Sequence, residues 1–169
     1  MKRLAVACFV LLLSACASQY GSDSPQLDSS KPFYVLPLNN QSNMPLAQAQ
    51  AEQLLASVLA EQGVKVVLYP KQQVSDIEAS LTPQKRWTEA MQWLESQPNG
   101  YVVGGSIQEW QYKYGLDGEP AIGITITLSD KQQKELWRGS VSKSGWGRES
   151  ISHIGMKAME DLLGSLEWN

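Results

Sequence analysis

Residues 101–144 read YVVGGSIQEWQYKYGLDGEPAIGITITLSDKQQKELWRGSVSKS, and this stretch decides the fold. It holds three β-rich runs, Tyr101 to Gly115, Glu119 to Ser129 and Lys134 to Ser144. Leu116-Asp117-Gly118 and Asp130-Lys131-Gln132-Gln133 separate them. Both separators are short and carry turn formers, so each pair of runs reads as a hairpin. Ile122, Ile124, Ile126 and Leu128 alternate strictly with smaller residues, which marks one buried sheet face. Trp110, Tyr112 and Tyr114 alternate as an aromatic stripe on the partner strand.

Upstream, Pro98-Asn99-Gly100 punctuates the chain. Before it, Thr82-Pro83 reads as a helix start, with Thr82 at the N-cap and Pro83 at N1. Trp87, Met91 and Leu94, at i, i+4 and i+7, should face inward. Lys71 to Leu81 supports only a short helical or irregular piece. Val64 to Tyr69 is predicted as a strand ended by Pro70. The helix before it starts near Pro45, repeats Ala47, Ala51, Leu54, Leu55, Val58 and Leu59 at helical spacing, and stops with Gly63 at C′. Phe33 to Leu38 is a compact apolar run, read as a buried strand. Downstream, Ile151, Ile154, Ala158, Leu162 and Leu166 share one face of a helix starting near Glu149. The order β-α-β-α-β-β-β-α gives an α/β (α+β) fold, a mixed sheet with helices packed on it.

Composition bounds the possibilities. At 169 residues, 43% hydrophobic and 18% charged, the chain can form one domain with its own core. A net charge of −3 argues against non-specific nucleic-acid binding, which requires a basic face. The two cysteines, Cys8 and Cys16, both lie in the first sixteen residues, so neither a disulfide framework nor a cysteine-rich zinc site can be built. No metal or other cofactor is expected.

Lys2 and Arg3 precede the apolar run Leu4 to Leu13. Ten residues are too few to span a bilayer, which takes about 20, so residues 1–15 read as a signal peptide. The run ends in Leu13-Ser14-Ala15-Cys16, which looks like the lipobox of bacterial lipoproteins. That resemblance makes Cys16 the acylated first residue of the mature chain. Acyl chains contribute about 0.8 kcal/mol per buried methylene to membrane anchoring. Loss of Lys2 and Arg3 leaves 12 basic against 17 acidic residues, a net −5. Ala17 and Ser18 follow Cys16 without an aspartate, which by similarity to enteric lipoprotein sorting directs the chain to the periplasmic leaflet of the outer membrane. Residues 16–32, polar and poor in apolar groups, read as the lipidated cysteine and a flexible tether, and 33–169 as a single periplasmic domain.

Catalytic constellations are weak. His153 is the single histidine; with Ser150 and Ser152 it suggests nucleophilic chemistry only superficially, since no Gly-x-Ser-x-Gly elbow exists. Asp117 and Glu119 could be a glycosidase carboxylate pair, but two residues apart at a hairpin tip both are solvated, and nothing raises one pKa. Gly104-Gly105 lies in a strand pattern and reads as a bulge or a close backbone approach rather than a phosphate loop. No catalytic residue is assigned. Of the six tryptophans, Trp87 and Trp110 read as core, and Trp93 and Trp137 as core or interface. Trp146, between glycines in Ser144-Gly145-Trp146-Gly147-Arg148, suits a membrane interface, a subunit contact, or a ring folded back over the core.

The segment from Trp110 through Gly115-Leu116-Asp117-Gly118-Glu119-Pro120 to Thr125 resembles the PelC family, outer-membrane lipoproteins of Pel exopolysaccharide export. Leu136-Trp137, Ser144-Gly145-Trp146 and Arg148-Glu149-Ser150 add to the likeness, which spans about Phe33 to Leu163, with Gly147 as a departure. The resemblance implies a non-enzymatic subunit of a dodecameric ring beneath the export porin PelB, with a fold akin to CsgG-type and TolB N-terminal domains. It also implies a cationic, partly de-N-acetylated amino-sugar polymer as cargo. By motif position Asp117 takes the acidic funnel role, and Glu119 joins it by proximity. Trp146, with Arg148, is expected at the membrane or at a neighbouring subunit. A ring of carboxylates around a low-dielectric opening would concentrate a cation. A tethered regulator of another envelope protein, of the peptidoglycan-synthase activator type, is the alternative reading.

Overall fold

The computed structural model describes residues 18–70, 82–113 and 118–169. Cys16, Asp117, the signal peptide and the segment 71–81 lie outside them. Among the described residues, the strands are β1 (Ser18–Gly21), β2 (Gln26–Leu27), β3 (Phe33–Val35), β4 (Asn39–Asn40), β5 (Val66–Leu68), β6 (Tyr101–Lys113), β7 (Glu119–Asp130), β8 (Glu135–Ser144) and β9 (Glu167–Trp168). The helices are α1 (Ala47–Glu61), α2 (Pro83–Glu95) and α3 (Ile151–Leu163).

The main sheet runs β1-β8-β7-β6-β3-β5, with β4 continuing alongside β6. The β6–β7–β8 meander is antiparallel, whereas β3 is parallel to both β5 and β6. The mixed sheet expected from the sequence is therefore present, with its antiparallel half built from residues 101–144. The alternation of Ile122, Ile124, Ile126 and Leu128 puts all four in the main core. On β6 a register shift between Ile107 and Glu109 inserts one residue, which brings Ile107 and Trp110 to the same buried face despite their odd spacing. Trp110 is fully buried, and its indole N–H donates to Gln50 Oε1 at 3.1 Å.

Helices α1 and α3 pack on that face. Gly63 (φ 82) takes the left-handed conformation that ends α1, as its position predicts. Helix α2 covers part of the opposite face, where Ala90 and Leu94 meet Tyr34, Leu36, Tyr69 and Val102. Trp87, Met91 and Trp93 join this smaller core half-buried. The two layers are joined beyond the end of β3. There Glu52 of α1, 3% exposed, accepts from Leu38 N at 2.9 Å and holds Arg86 of α2 bidentately at 2.8 and 2.6 Å.

One expectation is corrected. Residues 18–32 are not a free tether: β1 pairs antiparallel with β8, and β2 pairs parallel with β9, a strand the sequence reading lacked. Leu27 is 1% exposed within the main core. A single leucine buried this way contributes about 1.5–3 kcal/mol, enough to dock a polar segment. Among the described residues the folded domain thus includes residues 18–32 as well as those from 33 on.

Candidate functional site

Three local features converge at one end of the sheet: the β6–β7 hairpin, the loop from Gly145 to Ser150, and the first turn of α3. The hairpin ladder closes on the pair Lys113 and Glu119, with Gly118 (φ 59) leading into β7. Glu119 is exposed and makes no ion pair among the described residues. The Lys113 ammonium lies 3.5 Å from Glu109 instead. The carboxylate of Glu119 is therefore available to act at range, and Asp117 precedes it by two residues, outside the described region.

The loop carrying Trp146 is fastened to this hairpin. Gly145 N donates to Pro120 O at 2.9 Å, directly after Glu119. Glu149 then organises the turn: its Oε2 accepts from Trp146 N at 2.7 Å, while its own N–H donates to Trp146 O at 3.0 Å. That N–H bond to the carboxylate, reinforced by the charges of Lys157 and His153, holds the Glu149 pKa below the usual carboxylate value. Ser150 caps α3, its Oγ accepting from His153 N at 3.2 Å. Tyr112 on β6 accepts from Ile151 N through its hydroxyl at 3.0 Å, tying the start of α3 to the hairpin.

Gly145, Glu149 and Ser150 of the Ser-Gly-Trp-x-Arg-Glu-Ser segment each have a physical reason. A Cβ on Gly145 would stand 2.6 Å from Glu149 Oε2 and 2.7 Å from Ile154, so a larger residue would push the Glu149 carboxylate or Ile154 from its place. Arg148 sits at φ 108, an unfavourable conformation for a long side chain that costs about 1–3 kcal/mol and persists because Glu149 closes the turn around it. Trp146 is 69% exposed, so it does not fold back over the core; Arg148 is exposed beside it. Tyr112, 42% exposed, adds a second aromatic to the same end.

Among the described residues no group of histidine, cysteine, aspartate and glutamate could hold a metal ion. No helix there is long and apolar enough to cross a membrane. His153 lies exposed on α3, and its ring approaches Glu149 at 3.9 Å without a serine nucleophile in partnership. Sequence reasoning missed Glu149 and Tyr112 as the fasteners of this end. The Tyr112 role depends on a contact with a segment 39 residues away, and the Glu149 role on a carboxylate bonded to the backbone three residues before it; periodicity carries no signal for either.

No family model and no curated protein matches the sequence. Solved structures do. A single-substitution variant of PelC from Paraburkholderia phytofirmans, a dodecamer, is 28% identical, with a TM-score of 0.76 over 91% of this chain and 100% of that one. The PelC dodecamer of the same organism in another crystal form is 26% identical, with a TM-score of 0.75 over 91% and 99%. Lipoprotein GNA1162 from Neisseria meningitidis shares the fold, at 20% identity and a TM-score of 0.53 over 79% and 96%.

Proposed function

We propose, from the premise that this chain is PelC-like across nearly its whole length, that it is a ring-forming lipoprotein of Pel exopolysaccharide export. The observation that carries the reading is the likeness to PelC dodecamers, which covers 91% of this chain. In the proposed arrangement Cys16 bears the lipid that holds the chain on the periplasmic leaflet of the outer membrane. The protein has no catalytic task; it guides a cationic amino-sugar polymer to the porin PelB.

The end of the sheet described above supports this role physically. Glu119 is solvated and unpaired among the described residues, and Asp117 lies two positions before it. One such carboxylate attracts a cation by only about 1 kcal/mol at 4 Å in water. Repeated around a ring, identical carboxylates face a shared opening where their fields add. The exposed Trp146 and Arg148, fastened to the same hairpin through the Gly145 to Pro120 bond, then lie near that opening. There they meet either lipid headgroups or the adjacent subunit.

A secretion assay in cells carrying variant chains tests the reading. Asp117→Ala should lower polymer export several-fold, Asp117→Lys should lower it further, and Glu119→Ala should add to either. Wild-type export by all three, with normal protein levels, would overturn the acidic funnel.

A further inference from the structure

Helix α2 covers only part of its face of the sheet, and the rest of that face, across β6, β7 and β8, is made of short polar residues. Ser106, Thr125 and Ser140 follow one another across the three strands. Thr125 Oγ1 lies 2.9 Å from Ser140 Oγ, and the Gln108 amide reaches both Ser106 Oγ at 2.8 Å and Thr125 Oγ1 at 3.1 Å. Above this floor is a groove of about 470 Å³. The first turns of α2, with Gln84 and Trp87, wall one side, Asn39 and Gln41 line it along β4, and Arg138 lies on β8. The Trp87 ring is half-buried and rests over Gly104, where a Cβ would stand 3.8 Å from it.

The charges here are already neutralised. Arg86 is held by Glu52 and Arg138 by Glu135, and no aspartate or glutamate is among the described lining residues. The side-chain amides of Asn39, Gln41 and Gln84 form no hydrogen bond with the described residues, so their donors and acceptors face the groove unspent.

We infer that this groove binds uncharged, N-acetylated hexosamine units of a polysaccharide. Amides and hydroxyls match the alternating donors and acceptors of sugar hydroxyls and of an acetamido group. The indole offers a flat apolar surface with a polar tip against which the C–H face of a pyranose packs. An apolar ligand would strand the side-chain amides of Asn39, Gln41 and Gln84 without partners. A protonated amino sugar would find no carboxylate among the described lining residues, so its charge would lose hydration without gaining a partner. The size lies within the range of small-ligand sites. The inference rests on the export reading and deepens it: neutral units of a mixed polymer bind here, while charged units are drawn to the hairpin carboxylates.

Titration of the mature chain with tetramers of N-acetylglucosamine and N-acetylgalactosamine, and with their de-N-acetylated counterparts, followed by calorimetry, tests it. At least one acetylated tetramer should bind saturably, and its de-N-acetylated form at least about tenfold more weakly. Trp87→Ala should abolish binding. Because Trp87 also packs on the second core, Gln84→Ala and Thr125→Val provide variants at the groove surface, each weakening binding about three- to tenfold, the worth of one hydrogen bond. Absence of binding by both acetylated tetramers, preference for the de-N-acetylated forms, or binding indifferent to all three variants would overturn the site. So would Gln84→Ala and Thr125→Val that change oligomer mass but not saccharide affinity, since the face would then be a subunit contact. Failure of the groove leaves the export reading intact if the Asp117 and Glu119 variants still impair secretion; normal secretion by those variants would remove the funnel whatever the groove binds.

Discussion

Glu149 shows how one side chain can hold a whole loop. Its carboxylate takes the Trp146 N–H, its backbone returns a bond to Trp146, and both Lys157 (3.7 Å) and His153 (3.9 Å) lie near its other oxygen. These contacts favour the ionised form and place its folded-state pKa below the ordinary 4.5. A lowered pKa contributes order that is fully present above the unfolded value and is lost as pH falls through the folded one. The Trp146 amide resonance should therefore keep its Glu149-bonded position through the ordinary carboxylate range and lose it only on acidification below that range. Glu149→Gln should give the shifted position at every pH. A Trp146 amide position that Glu149→Gln leaves unchanged would contradict this account.

Among the elements, the least legible were the shortest. Strands β1, β2 and β9 span four, two and two residues, too few for alternation to register. The polar composition around β1 and β2 suggested a tether, yet β1 covers the otherwise open edge of β8, and Leu27 fills the main core. Leu27→Ala should cost about 2–5 kcal/mol in urea unfolding, as for other buried leucines. A chain starting at residue 33 should unfold at clearly lower urea than one starting at residue 18. Equal midpoints for the two would return residues 18–32 to the status of a linker. By contrast α1, α2 and α3 were readable because each presents three or more apolar residues at helical spacing. The bulge after Ile107 was not: a shift of one residue leaves no composition mark, although it alone brings Trp110 inward.

At the scale of the whole molecule, function depends on what a single chain cannot show. Carboxylates two residues apart at one hairpin are weak attractors; a closed ring multiplies and focuses them. Native mass spectrometry of the lipidated mature chain over a range of concentration should give one closed higher oligomer of fixed mass, consistent with head-to-tail contacts that close by rotation. Monomers even when lipidated and membrane-bound would favour a tethered regulator of another envelope protein.

The sequence alone determined the antiparallel core of the sheet, the three helices and their inward faces, because period-2 and period-3.6 patterns are local and record which face is buried. It also placed Glu119 at an exposed hairpin end, through glycine and turn chemistry, whereas the exposure of Trp146 came from the structure. Tertiary structure decided the rest: that residues 18–32 dock, that Glu52 and Arg86 join the two helical layers, and that Gly145 and Tyr112 bind the Trp146 loop and the start of α3 to the hairpin. It also decided that β6–β8 leave a hydroxyl-lined groove beside Trp87. Each of these is a pairing between residues far apart in the chain, whose energy exists only once the sheet has brought them within hydrogen-bonding reach.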